Sequence, residues 1–149
     1  MTTNQTCLAE FAATATARLH AIDRIERILE PAARAIDASR TPRMPYWIDE
    51  SHDIPTLGIK MIVRAHGKDG LVCAPFDSGT TKWSTQIVGV DSATPETLAE
   101  VARVATIWAA DVERTYRAKI DAEVARLRAE AQAFAAVASD IVMMTPESK

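Results

Sequence analysis

Residues 96–145 read ETLAEVARVATIWAADVERTYRAKIDAEVARLRAEAQAFAAVASDIVMMT, fifty residues without a glycine or a proline. One apolar stripe runs the whole way: Leu98, Val101, Val104, Trp108, Val112, Tyr116, Ile120, Val124, Leu127, Ala131, Phe134, Ala138 and Ile141. Every step is three or four residues, the spacing that brings side chains to one face of an α-helix. At about 1.5 Å per residue such a helix would measure roughly 70 Å, against about a dozen residues for an ordinary globular helix. A rod of that length cannot bury its stripe inside one small domain. It requires a second long helix, from this chain or from another copy.

The start of this helix is also legible. Thr94 offers an N-cap hydroxyl, and Pro95 falls at the first helical position, where a missing N–H costs nothing. From Ile120 onward the stripe steps 4, 3, 4, 3, 4, 3, a heptad seam of three repeats. Between Trp108 and Ile120 every step is four, a stutter that relaxes supercoiling.

Working outward, residues 5–39 predict a first amphipathic helix with the stripe Leu8, Phe11, Ala15, Leu19, Ile22, Ile25, Leu29, Ala32 and Ile36. Asn4 or Thr6 is the expected cap, and Asp23–Arg27 and Glu30–Arg34 are i,i+4 ion pairs. Pro31 inside the pattern predicts a kink or break near Ile28 to Glu30. Residues 40–53, with Pro42 and Pro45, predict a loop. Residues 54–90 predict a small antiparallel sheet, with strands at Leu57–His66, Leu71–Phe76 and Thr81–Val90 and turns at Gly67–Gly70 and Asp77–Thr80.

The expected fold is therefore α+β and mostly helical: one domain over 1–149, with two long amphipathic helices flanking a three-stranded antiparallel β-meander. The last helix, 95–144, either stays continuous with a coiled-coil-like seam or folds back near Thr115 or Ala129 as a helical hairpin. If continuous, the two helices are expected to pair antiparallel as a stalk with the sheet at one end. This layout resembles that of prefoldin-type chaperone subunits. The resemblance is one of layout, without a shared motif, and implies a chaperone subunit as one alternative function.

The 149 residues are 48% hydrophobic, 5% aromatic and 25% charged, with a net charge of −3. That composition fits a globular chain and argues against nucleic acid as a partner. No apolar run reaches the ~18 residues of a membrane span, and no basic n-region opens a signal peptide. A soluble, cytoplasmic protein without a membrane partner is expected. Cys7 and Cys73 predict no disulfide framework.

No catalytic constellation assembles from the sequence, so an enzyme is not expected, nor a cofactor. Asp49, Glu50, His52 and Asp53 are oxygen-rich, but they lack calcium-loop spacing and its glycine. They read as a solvated acidic loop, and no metal site is expected. A Cys73–His66 pair across the Gly67–Gly70 turn lacks anything to activate the thiol. The segment 67–70 and the segment 77–82 lack phosphate-loop spacing.

The recognition segment expected is the loop Arg40–Trp47, where Arg40, Arg43, Tyr46 and Trp47 supply residue types that dominate binding hot spots. Arg64, His66 and Trp83 would join them at the sheet's end. Trp108, Val112, Tyr116, Ile120, Val124, Leu127 and Phe134 are expected to form the self-association surface. The leading expectation is a non-catalytic homo-oligomer that binds another protein, of the adaptor or inhibitor type that phages also carry against host systems. The alternative is a binder of a small anionic ligand such as a nucleotide, held where two protomers meet.

Overall fold

The structure is a computed structural model describing residues 2–39, 48–65 and 83–144. Helix α1 (Thr3–Ser39) leads to strands β1 (Ile48–Ile54), β2 (Ile59–Ala65) and β3 (Trp83–Val88), followed by helix α2 (Pro95–Met144). The strands form an antiparallel sheet in the order β1-β2-β3. The α+β, mostly helical architecture is as expected, and α2 is continuous over 50 residues.

Both helix starts are capped by side chains. Thr94 Oγ1 accepts the Thr97 N–H at 3.2 Å. At the other helix the cap is Thr2, not Asn4 or Thr6. Its hydroxyl accepts the Gln5 N–H at 3.2 Å while the Gln5 side-chain oxygen accepts the Thr2 N–H at 2.9 Å, a reciprocal capping box.

Pro31 does not break α1, which runs through it as one helix. Pro31 is exposed, as is Arg27, whose carbonyl loses its donor; water can satisfy it there. On the opposite side Leu29, Ala32 and Ala33 are fully buried and hold the helix on the core.

The expected loop 40–53 is corrected in its second half, because β1 occupies Ile48–Ile54. The expected strand Leu71–Phe76 and the turns at 67–70 and 77–80 lie outside the described residues. The register is clean. Ile48, Ala65 and Trp83 form one row, Glu50, Val63 and Thr85 the next, and His52, Met61 and Ile87 a third. These residues occupy the inner face of the sheet, where Met61, Val63 and Ala65 are fully buried. The outer face carries Asp49, Ser51, Asp53, Lys60, Arg64 and Gln86.

Both helices lie on the inner face. α1 packs on β2 and β3, and its contact with α2 is the most extensive between any two elements. Alanines line the core from both helices, with Ala32, Ala33 and Ala35 on α1 and Ala105 and Ala109 on α2. Small side chains let two backbones approach closely.

The helices run parallel, not as the antiparallel stalk expected. Arg18 of α1 donates through Nε to the carbonyl of Ala93, just before α2 starts. Ala21, Ile25 and Ile28 then line a groove together with Leu98, Ala99 and Ala102, in the same chain direction. Further along, the Arg34 guanidinium lies 5.3 Å from the Trp83 ring centre, so α1 runs opposite to β3. The pair is offset. Residues 3–17 of α1 overhang at one end, and residues 117–144 of α2 overhang at the other.

Two glycines close the end where α2 begins. Gly58 (φ 66°) and Gly89 (φ 91°) both take left-handed backbone. A Cβ on Gly89 would overlap the Gly58 carbonyl oxygen, whereas a Cβ on Gly58 would meet open space. Gly58→Ala should cost about 1 kcal/mol from backbone strain alone. Gly89→Ala should cost about 3 kcal/mol, because backbone must also move. Thermal unfolding followed by circular dichroism orders the two; equal melting temperatures would show that the contact between these glycines carries no weight.

Candidate functional site

Where β1 meets α2, polar chemistry is built into the core. Glu50 and His52 occupy inner positions of β1, where alternation demands that side chains face the helices. Each finds its partner on α2. The Tyr116 hydroxyl donates to Glu50 Oε1 at 2.5 Å, and the His52 ring stacks on Trp108 with centres 5.6 Å apart. Lys119 Nζ stands 4.4 Å from the centre of the Tyr116 ring. Tyr116 is only 4% exposed. Burial, followed by the hydrogen bond and the negative charge of Glu50, raises its pKa well above the usual 10.0. This arrangement holds a phenol protonated and its partner strand in place. It is a structural clamp between β1 and α2.

The acidic stretch around it is divided by the same alternation. Asp49 and Asp53 face outward, where Asp49 forms a two-pronged pair with Arg64 at 2.6 and 3.1 Å and Asp53 lies 4.0 Å from Lys60. Among the described residues no group of three His, Cys, Asp or Glu is arranged to hold a metal ion.

Of the recognition residues expected, Arg40, Arg43, Tyr46, Trp47 and His66 lie outside the described residues, as does Cys73. Arg64 and Trp83 fall on opposite faces of the sheet, because Trp83 registers with Ala65 and Arg64 with Ser84. They therefore do not share one pocket. Ile48, Ala65 and Trp83, from which the two undescribed segments depart or to which they return, form one row at the end where α2 leaves the sheet.

The self-association set divides at Tyr116. Val112 and Tyr116 are buried in this chain's own core, and Trp108 is half-buried against His52. Val112 and Tyr116 thus belong to this chain's own core, and Trp108 packs against its edge. Beyond Tyr116 the stripe emerges. Ile120 is half-buried, Val124 is exposed, Leu127 is 49% exposed and Phe134 is 68% exposed. Val137, Ile141, Val142 and Met143 follow, all exposed. At about 1.5 Å per residue, residues 117–144 make an arm of roughly 42 Å.

A second apolar surface lies at the opposite end, which the sequence stripe contained but did not distinguish from core. Leu8 and Phe11 on the α1 overhang, and Leu19 just beyond it, are exposed. They lead to an open apolar groove of about 520 Å³ lined by Ala17, Ala21, Ile25, Ile28, Pro95, Leu98 and Ala102, with Arg18 and Arg24 at its margin.

No described helix is long and apolar enough to cross a membrane. The chain matches no family model, no curated protein and no solved structure.

Tyr116→Phe should destabilise the fold by about 2 kcal/mol, since it leaves a partly buried carboxylate without its donor. The contribution of Tyr116 is present below about pH 10, where the phenol is protonated in both folded and unfolded chains. It is lost as pH climbs toward the raised folded value, because the unfolded phenol ionises first. Urea unfolding of both proteins at pH 8 and pH 11 should therefore show a gap that narrows at the higher pH. A gap independent of pH would exclude a protonated Tyr116 as its source.

Proposed function

We propose that this protein is a non-catalytic, self-associating interaction module: a folded head of sheet and paired helices, carried on a helical arm that joins it to other copies. The observation that supports this reading is the arm itself. Over residues 117–144 α2 leaves α1 and the sheet, yet it keeps an apolar residue at every three or four positions. An isolated helix of this kind is marginal in water, and most helical stability comes from packing an apolar face. Leu127, Phe134 and Ile141 are exposed in one line, and an exposed apolar patch supports the reading as a contact surface.

Arg40, Arg43, Tyr46, Trp47 and His66 would then be the partner-binding residues. Joining copies through their arms would multiply whatever affinity one head has, by raising the local concentration of the second. The separation of Arg64 from Trp83 by the sheet weakens the reading as a nucleotide pocket built from both.

Leu127→Asp tests the arm, because it places a charge in the seam while touching nothing in the head. Native mass spectrometry of the gently purified protein should give a clean multimer, and the Leu127→Asp protein a folded monomer with the head's melting transition retained. An unchanged mass would remove the arm as the contact. A multimer carrying extra small-molecule mass would favour the anionic-ligand reading instead.

A further inference from the structure

We infer that the occupant of the arm's seam is a second copy of the same arm, running antiparallel about a two-fold axis between Ala131 and Phe134. The inference rests on the self-association proposed above and gives it a geometry. In this register Val124 packs against the partner's Ile141, Leu127 against the partner's Ala138, and Ala131 against the partner's Phe134, with each contact repeated by symmetry.

Three observations point to this arrangement. The first is the side on which the seam lies. The stripe buried from Leu98 to Tyr116 and the seam from Ile120 to Ile141 are one stripe on one face, so the seam faces the same side as α1 and the sheet. A parallel copy in register would have to set its own head where this chain's α1 and β1 stand. An antiparallel copy brings only the C-terminal end of its arm up to the head and takes over the stripe where the head leaves it.

The second observation is the uneven polarity of the arm. Residues 120–130 hold five charged side chains, Asp121, Glu123, Arg126, Arg128 and Glu130, whereas residues 131–144 hold only Asp140. An antiparallel pair sets the charged half of each arm against the apolar half of the other. Glu123 then flanks the partner's Met144, Arg128 the partner's Ala135, and Glu130 the partner's Val137. No like charges meet, and the aliphatic stems of Glu and Arg cover the apolar flanks. A parallel pair would set Val137 beside the partner's Val142, with no charged side chain to cover either.

Thirdly, charges do not favour the parallel register. Its one attraction would join Glu123 to the partner's Arg128, in the g-to-e relation of a coiled coil. Glu123 already accepts from Arg126 of its own helix at 2.7 and 3.0 Å. The two-fold contact is also closed. A head-to-tail contact between the arm and the α1 overhang of another copy would propagate into a filament.

Sedimentation equilibrium and disulfide trapping test this in a Cys7→Ser, Cys73→Ser background. The background protein should sediment at twice the chain mass, and Phe11→Asp should leave that mass unchanged. Ala138→Cys alone should not cross-link under mild oxidation. In the antiparallel register the two residues are 11 positions apart along the axis, about 16 Å, beyond the ~7 Å a disulfide spans. A mixture of Leu127→Cys and Ala138→Cys proteins should give the mixed dimer as the dominant disulfide species. Self-cross-linking of Ala138→Cys within a dimer would overturn the antiparallel inference while leaving self-association intact. Loss of the dimer in Phe11→Asp would overturn it in favour of the α1 overhang as occupant. A monomer in the background protein at tens of micromolar would overturn the inference together with the function it rests on.

Discussion

The rest of this structure depends on the parallel, offset packing of α1 and α2. Alanines line the core from both helices and permit a close approach over a sheet of three short strands. The helices bury the apolar inner face of these strands, and that burial is what holds the sheet in the fold. The connections set the helix direction. α1 runs opposite to β3, β3 climbs to the Gly58–Gly89 contact, and the short turn to Pro95 sends α2 back beside α1. Two helices that run the same way yet start at different heights must overhang at opposite ends. The α1 overhang and the α2 arm are thus consequences of one packing decision.

The sheet edge nearest α2 shows how such a frame tolerates residues that would otherwise oppose it. Glu50 and His52 occupy positions that alternation turns inward, where an unpaired carboxylate would be costly. Tyr116 and Trp108 sit two turns apart on α2, a spacing that serves two alternate positions of the facing strand. The carboxylate keeps a donor and the imidazole keeps an aromatic face. These contacts fix α2 against β1 at the point where the helix departs from the head, and so fix where the core ends and the arm begins.

Much of this fold is legible in the sequence. The fifty-residue stripe, the Thr94–Pro95 start, the first helix and two of the strands announce themselves through period and punctuation. What escaped was what local pattern cannot carry. β1 reads as a loop because Glu50 and His52 stand where a strand would show apolar residues. Their partners lie 66 residues on for Glu50, at Tyr116, and on the same late helix for His52. Pro31 reads as a break because its local penalty is visible and the buried Leu29, Ala32 and Ala33 that outweigh it are visible only in the packed molecule. The stripe likewise does not say which of its residues face a helix of the same chain: Val112, Tyr116, Leu127 and Phe134 look alike in sequence.

By itself, then, the sequence determined that this chain makes two long amphipathic helices and a small antiparallel sheet, because hydrophobic periodicity and capping are properties of near neighbours. It also determined that the last helix carries more apolar surface than a domain of this size can bury. Only the tertiary structure decided that the helices run parallel, that the stripe passes from core to exposed seam at Tyr116, and that Arg64 and Trp83 stand on opposite faces of the sheet. Those outcomes depend on strand register and on contacts between residues far apart in the chain, and no local pattern of side chains encodes them.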